Sequence, residues 1–257
     1  MWVPRVTAAE TSAYGVPMTD LTLTTPDGPM VVAVATPAQA DPDDTPKGAV
    51  IVIQEAFGVT PHIRSVCDWL ADNGYVAVAP ELFHRADPKV FEYDDLQGAL
   101  PVMMTLTKEG IDADLDATLA HLDAQGFDRG SVGIVGFCMG GSVTLYAAAT
   151  RHLGAAVTFY GGGLAQGRFG FPPGLELSKA IRVPWLGLYG DLDQSIPVDD
   201  VEQVRANAAA RPVATEVVRY EHGQHGFNCD DRPAVFDAGI AADARARTIA
   251  WFDRHLG

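Results

Sequence analysis

The chain contains few cysteines, and their spacing argues against cross-linking. Cys67, Cys138 and Cys229 are the three cysteines among 257 residues, and they form no CxxC pair. An odd number of widely spaced cysteines fits neither a disulfide framework nor a thiolate zinc site. We therefore expect all three thiols to be free.

Basic residues and long apolar segments are also scarce. The chain has 18 Lys and Arg against 33 Asp and Glu, which gives a formal net charge of -15. This charge disfavours a nucleic-acid or anionic-membrane partner, so an anionic substrate has to be held by a few local arginines. No stretch approaches the ~18 apolar residues of a membrane span, and the N-terminal segment lacks an apolar signal region. We expect a soluble, cytoplasmic protein.

Apolar runs alternate with helical patterns along most of the chain. Alternating segments at 21–23 and 30–35 predict a β-hairpin, and the continuous apolar run 49–54 predicts a strand covered on both faces. Further strands are expected near 75–79, 132–136, 155–160, 183–189 and 215–220, with helices near 61–73, 111–124, 198–210 and 236–256. The long stretch that follows the strand at 75–79 is expected to be irregular. This order predicts a single α/β domain over residues 1–257, with a mostly parallel sheet and helices on both faces. Residues 1–46 would add the N-terminal hairpin and a loop.

Two kinds of ligand motif fail on inspection. Asp112, Asp114 and Asp116 have the spacing that opens a calcium loop, but Ala117 stands where the turn glycine is required. We expect these aspartates to favour the positive N-terminal end of a helix instead. No glycine motif for a dinucleotide or a phosphate is present, so the sequence predicts no cofactor and no metal.

The segment Gly136-Phe137-Cys138-Met139-Gly140 has the nucleophile-elbow pattern GxSxG, with cysteine in place of serine. The nucleophile of such an elbow adopts an unfavourable backbone geometry, and the two glycines leave room for the strand and the helix to pass. A helix N-terminus favours the thiolate, and the N–H of Met139 would point at a developing oxyanion. The alternative is a buried structural cysteine in a glycine turn.

Residues further along the chain supply an acid and then a histidine, the order expected of elbow hydrolases. The segment GDLDQSIP carries Asp193, which we prefer to its rival Asp191 as the carboxylate that orients an imidazole. The segment EHGQHGF carries His222 and His225, and His225 is the better general base. We expect His222 to be an exposed loop residue.

Five motifs in order make the chain resemble the dienelactone hydrolase family, the carboxymethylenebutenolidases, over most of residues 47–256. They are QEAFGV at 54–59, PELFHR at 80–85, GFCMGG at 136–141, GDLDQSIP at 190–197 and HGF at 225–227. The resemblance implies an α/β-hydrolase fold and a triad of Cys138, Asp193 and His225. It favours Asp193 over Asp191 because the family's aspartate lies four residues before the proline.

The resemblance also implies roles that the residues alone do not reveal. Glu55 would contact the resting thiol and give way to substrate, although loop amides or an arginine are alternative partners for it. The N–H of Ala56 would be the second oxyanion donor. Arg85 would bind a substrate carboxylate, whereas on its own it could equally be an exposed surface charge. Tyr160 matches a position in the family's substrate pocket.

Two positions depart from the family pattern. Cys229 stands where the family often has a second arginine, and Arg232, three positions beyond, is the potential replacement. Phe159 stands where a tyrosine hydroxyl is expected. Because a charge-assisted hydrogen bond contributes about 1.5–3 kcal/mol, losing one arginine would weaken carboxylate binding by about one to two orders of magnitude.

The sequence therefore predicts a cofactor-free cysteine hydrolase of activated esters or lactones. Small dienelactone-like substrates that carry a carboxylate are the first expectation. A general carboxylesterase or thioesterase on the same fold is the nearer alternative. A non-catalytic ligand-binding relative is the alternative from a different class.

Overall fold

A computed structural model of the chain describes residues 10–11, 17–38, 45–87 and 89–256. Its strands are β1 (Glu10–Thr11), β2 (Pro17–Thr25), β3 (Gly28–Ala35), β4 (Gly48–Ile53), β5 (Tyr75–Pro80), β6 (Val132–Phe137), β7 (Ala155–Phe159), β8 (Trp185–Gly190) and β9 (Thr215–Tyr220). Its helices are α1 (Pro61–Asp72), α2 (Leu96–Met103), α3 (Lys108–Ala124), α4 (Met139–Thr150), α5 (Gly174–Ser178), α6 (Val198–Ala209) and α7 (Ala238–His255). No helix in the described ranges is long and apolar enough to cross a membrane.

The described strands form one sheet in the order β1-β2-β3-β5-β4-β6-β7-β8-β9. Strands β4 to β9 pair in parallel, and the hairpin β2–β3 joins them through an antiparallel pairing of β3 with β5. Every residue of β4 and β6 is buried, as their unbroken apolar sequences require of strands covered on both faces. The predicted mostly parallel sheet with an N-terminal hairpin is confirmed. The extent of a single domain over 1–257 stays a prediction, and positions 39–44 of the expected polar loop lie outside the described residues.

Helix α1 follows its sequence signals closely. The Thr60 side chain accepts a hydrogen bond from the N–H of Ile63, and Pro61 occupies the first turn. The buried face of the helix includes Ile63 and Cys67, and the Cys67 side chain is fully buried. Burial raises the pKa of the Cys67 thiol far above its usual value, so this cysteine belongs to the core.

Helix α3 differs from the prediction at its N-terminal end. It begins at Lys108, where the Thr107 side chain caps the helix by accepting from the N–H of Gly110. The aspartates at 112, 114 and 116 therefore lie inside the helix, and the expectation that they favour its N-terminal end was wrong. Their carboxylates form ion pairs with cations instead, including Lys108 and Arg151.

Helix α2 lies in a stretch that the sequence predicted to be irregular. Pro101 sits inside this helix, and a proline there normally argues against one. The Asp95 side chain caps the helix by accepting from the N–H of Gly98. Leu96, Leu100 and Met104 are four residues apart but exposed, so their apolar spacing does not mark a buried helix face.

Two glycines allow β6 and α4 to meet at the turn that contains Cys138. A Cβ on Gly136 would overlap the carbonyl of Gly140, and a Cβ on Gly140 would overlap the carbonyls of Ile53 and Gln54 at the end of β4. The glycines are therefore a steric requirement of the turn rather than a source of flexibility.

We expect Gly140→Ala to lower the free energy of unfolding by about 1–3 kcal/mol, because the backbone of β4 has to move to admit the methyl group. Gly239→Ala is a matched control, since each glycine is the second residue of its helix. A Cβ on Gly239 meets only Asp237 Oδ1, at 3.4 Å. Urea denaturation measures both variants. Equal unfolding midpoints for the two would contradict the steric explanation.

Candidate active site

Cys138 occupies the turn between β6 and α4 in a strained backbone conformation, with φ 55° and ψ -115°. Non-glycine residues rarely adopt a positive φ, and such strain is concentrated at functional sites. Two backbone hydrogen bonds hold the turn: the N–H of Cys138 donates to the carbonyl of Phe159 at 3.1 Å, and the N–H of Gly141 donates to the carbonyl of Cys138 at 3.0 Å. The side chain of Cys138 is partly exposed, so a ligand can reach the sulfur.

Asp193 and His225 are brought together from the loops that follow β8 and β9. The Nδ1 atom of His225 lies 2.6 Å from Oδ2 of Asp193. The other carboxylate oxygen accepts from both the N–H and the hydroxyl of Ser195, at 2.8 and 2.7 Å. Burial raises the pKa of Asp193, but the imidazole and Ser195 outweigh it, and the pKa is lowered overall.

The rival aspartate has a different partner. Asp191 accepts two hydrogen bonds from the guanidinium of Arg219, at 2.7 and 2.6 Å. The structure thus places Asp193 beside the imidazole and uses Asp191 to fix its loop to β9. His222 is exposed, as expected. Sequence reasoning missed Ser195, although an aspartate followed two residues later by a serine is a known side-chain-to-backbone turn.

The imidazole of His225 interacts with Asp193 and Cys138 at once. Burial lowers the pKa of His225, but the charge of Cys138 and hydrogen bonds to Asp193 and Cys138 raise it overall, from 6.5 to about 10. With Nδ1 committed to the carboxylate, Nε2 is the nitrogen left for the sulfur. The site is therefore suited to moving a proton between Cys138 and His225.

Glu55 lies just beyond the end of β4 and is buried. Its Oε1 accepts a hydrogen bond of 3.3 Å from the hydroxyl of Tyr160, while Oε2 is buried without a hydrogen-bond partner among the described residues. Among the described residues, neither a loop amide nor an arginine bonds this carboxylate, in contrast to the alternative considered from sequence. A buried carboxylate oxygen without a partner is costly, so the position points to a function rather than to stability.

Tyr160 connects Glu55 with the imidazole. It has φ 38°, and its ring centroid lies 5.1 Å from that of His225. Burial is the largest cause that raises the pKa of Tyr160, followed by the charge of Glu55. Tyr160 is therefore neutral and able to donate its hydroxyl proton.

The backbone N–H groups of Ala56 and Met139 are the oxyanion donors expected from the sequence. Met139 is the first residue of α4, so its N–H has no acceptor one turn earlier in the helix. Ala56 follows Glu55 in a tight turn in which the N–H of Gly58 donates to the carbonyl of Glu55 at 3.3 Å. Their role as oxyanion donors stays a prediction.

Phe159 supports the turn at Cys138 from the core. Its ring is fully buried, and its ring centroid lies 4.6 Å from that of Phe137 and 6.1 Å from that of Phe227. Its carbonyl also holds the N–H of Cys138. These contacts favour a supporting role over the substrate contact expected from sequence.

Arg85 is held by carboxylates of the protein itself. It donates to both oxygens of Asp114, at 2.8 and 2.9 Å, and to Asp27 at 2.9 Å. The Asp114 side chain is fully buried and also bonds His84 at 3.1 Å. This network ties α3 to the β2–β3 turn and disfavours the expected contact of Arg85 with a substrate carboxylate. This pairing could not be predicted from the sequence, because Asp114 lies 29 residues away on another element.

Arg232 lies against the loops that carry His225 and Ala56. Its guanidinium carbon lies 5.9 Å from the ring centroid of Phe57 and 6.0 Å from that of Tyr93. It also packs on Gly226, where a Cβ would lie 2.5 Å from Nη1. Within the described part of the chain, no carboxylate forms an ion pair with Arg232.

Cys229 is a neutral, fully buried thiol in the same region. Burial, followed by the charge of Glu55, raises its pKa to about 12, and the hydroxyl of Tyr93 partly lowers it. Sequence reasoning missed Tyr93, because it lies in the stretch expected to be irregular. Across the described ranges, no group of three or more His, Cys, Asp or Glu side chains is placed to hold a metal ion.

We expect Cys138→Ala to lower the pKa of His225 below about 10, because the charge and hydrogen bond of the sulfur are among the causes that raise it. Because the pKa is higher in the folded protein, protonation of His225 stabilises the fold fully below pH 6.5. This contribution is lost as the pH rises through about 10. An ¹⁵N NMR titration of the imidazole measures the pKa. Cys67→Ala is the control, and an unchanged His225 pKa in Cys138→Ala would contradict the coupling.

Comparison with known proteins places this site in a family. The family model described as "Dienelactone hydrolase family" matches residues 32–256. The "Putative carboxymethylenebutenolidase" of Escherichia coli strain K12 is 35% identical over 256 residues, covering 94% of this chain and 93% of the relative. The carboxymethylenebutenolidase of Pseudomonas putida is 30% identical over 200 residues, covering 76% and 78%.

The fold agrees with a solved structure. A crystal structure of a "Putative Dienelactone Hydrolase" from Klebsiella pneumoniae matches with a TM-score of 0.80 and 35% identity, covering 92% of this chain and 98% of the other. The resemblance expected from the five sequence motifs is confirmed. The chain belongs to the dienelactone hydrolase family and is a hydrolase with the α/β-hydrolase fold.

Proposed function

We propose that the protein is a cysteine-dependent hydrolase of activated esters or lactones, with dienelactone-like substrates first. One observation carries the proposal: the strained, partly exposed Cys138 shares the imidazole of His225 with Asp193. A buried structural cysteine would need neither a positive φ nor an imidazole with a bound carboxylate. The same geometry makes a non-catalytic binder the weaker explanation.

The first half of the reaction forms a thioester. His225 takes the thiol proton through Nε2, and the Cys138 thiolate attacks the carbonyl carbon of the substrate. The N–H groups of Met139 and Ala56 stabilise the oxyanion of the tetrahedral intermediate. When this intermediate collapses, the ring C–O bond breaks and the departing oxygen receives the proton from His225.

The second half regenerates the thiol. His225 takes a proton from water, and the resulting hydroxide attacks the thioester carbonyl while Asp193 stabilises the imidazolium. The C–S bond then breaks, which releases a carboxylic acid and returns the proton to the sulfur. A thiolate nucleophile suits weakly basic leaving groups such as an enol oxygen, so alkyl esters and amides are poorer substrates.

Glu55 and Tyr160 suit a gating role at the resting thiol. Oε2 of Glu55 is buried without a hydrogen-bond partner among the described residues, and the Oε1 bond to the Tyr160 hydroxyl is long at 3.3 Å. A weakly held carboxylate can exchange partners at little cost. Substrate entry would move Glu55 away from the thiol and leave the thiolate free to react.

Arg232 is our proposed anchor for a substrate carboxylate. It lies beside the His225 loop and the Ala56 turn, and no carboxylate in the described ranges forms an ion pair with it. Arg85 lacks this freedom, because Asp114 and Asp27 already occupy it. Arg232 would thus replace the arginine that the family often has at the position of Cys229.

Hydrolysis of cis- and trans-dienelactone, measured as the loss of their ultraviolet absorbance, tests the proposed function. We expect higher kcat/KM for these lactones than for p-nitrophenyl alkyl esters, and a loss of at least about 10³-fold in kcat in Cys138→Ala. Iodoacetamide should abolish turnover in the parent, and Cys67→Ala serves as the control. Faster turnover of alkyl esters would favour the esterase, and ligand binding without turnover would favour the binder.

Substitution of the two arginines separates their roles. We expect Arg232→Gln to raise KM for a carboxylate-bearing lactone about 10- to 100-fold and to leave its methyl ester nearly unchanged. Arg85→Gln should instead lower the free energy of unfolding by about 3 kcal/mol, because the buried Asp114 loses its main partner. Loss of charge discrimination in Arg85→Gln rather than in Arg232→Gln would reverse the assignment.

A further inference from the structure

We propose that Phe57 and Tyr93 position Arg232, and so determine the preference of the enzyme for substrates with a carboxylate. This inference rests on the proposed function and names two residues that contribute to it. The two rings lie 4.8 Å apart at an angle of 57°, and the guanidinium lies within 6.0 Å of both. Aromatic faces attract a guanidinium within this range.

An aromatic contact leaves the N–H donors of a guanidinium free, whereas an ion pair occupies them. The attraction acts through the face of the ring, so the N–H donors in the guanidinium plane remain available to a ligand. Arg85 is the opposite case, since its donors are hydrogen-bonded to Asp114 and Asp27. Arg232 is thus fixed in place and keeps its donors free.

Tyr93 is itself rigidly held. Its hydroxyl lies 2.9 Å from Oγ1 of Thr60, the residue that caps α1. The N–H of Phe91 donates to the carbonyl of Phe57 at 2.9 Å, which joins the two ring-bearing segments through their backbones. Movement of the Tyr93 ring would therefore break contacts with α1 and with the turn that carries Ala56.

Acidic residues near Arg232 explain why contacts with the two rings are needed to hold its guanidinium. Tyr93 lines a cavity of about 580 Å³ whose charged lining residues are Glu92, Asp94 and Asp231. Asp231 adjoins Arg232 in the chain, yet the two form no ion pair, and the guanidinium lies over the rings instead. Without the rings, Arg232 would turn to these carboxylates and become unavailable to a substrate.

The test compares Tyr93→Leu, which removes the ring, with Tyr93→Phe, which keeps it. The substrates are a carboxylate-bearing lactone and its uncharged methyl ester. We expect Tyr93→Leu to raise KM for the charged lactone about tenfold, with KM for the methyl ester and both kcat values within about twofold of the parent. Tyr93→Phe should retain the charge preference of the parent.

Phe91→Leu is the matched control for disturbance of the same segment. Phe91 packs on Phe83, with ring centroids 6.5 Å apart, and does not contact Arg232. We expect Phe91→Leu to change KM for the charged lactone and for its methyl ester by the same factor. A loss in Tyr93→Leu that is equal for the charged and the uncharged lactone would show a merely structural role and overturn the inference.

Benzoate binding, measured by calorimetry, distinguishes failure of this inference from failure of the proposed function. Benzoate is a carboxylate that cannot be hydrolysed, so it reports on the anion site without turnover. About tenfold weaker binding to both Tyr93→Leu and Arg232→Gln would support the positioning role even if no lactone is hydrolysed. Equal benzoate binding to the parent and to both variants would overturn it, whatever the outcome with lactones.

Discussion

The structure of the site depends on one shared imidazole. His225 is bonded to Asp193 through Nδ1 at 2.6 Å, and the charge of Cys138 raises the pKa of the same ring. Each neighbour favours the protonated ring against the cost of burial, so the imidazole binds its proton tightly. The strain at Cys138 is tolerated because β6, α4 and two glycines fix the turn that carries the sulfur.

The parallel sheet brings the members of the site to one edge. Glu55 and Ala56 follow β4, Cys138 follows β6, Tyr160 follows β7, and the loops after β8 and β9 carry Asp193 and His225. Ligand sites of open α/β sheets lie at the carboxyl ends of the strands. Segments distant in the chain thus meet because each ends a strand of the same sheet. Arg232 reaches this edge from the loop before α7, where it meets Phe57 and Tyr93.

Much of this arrangement could be predicted from the sequence, because the signals are local. The unbroken apolar run of β4 and the glycines around Cys138 each reflect a constraint on neighbouring residues. Arg85 could not be interpreted in this way, since its role is set by Asp114 on α3. Tyr93 was missed for a similar reason: its partners lie on other segments, and its own segment has no periodicity. Prediction from one sequence fails here where a role depends on which distant carboxylate or ring a side chain meets.

Covalent capture of the acyl intermediate tests the proposed chemistry most directly. The protein would be mixed with dienelactone, quenched in acid within one turnover and digested, and its peptides weighed by mass spectrometry. Ring opening on sulfur adds the whole mass of the lactone, so we expect that increase on the peptide that contains Cys138 and on no other. Turnover without an adduct on that peptide, or continued hydrolysis in Cys138→Ala, would contradict a thioester mechanism.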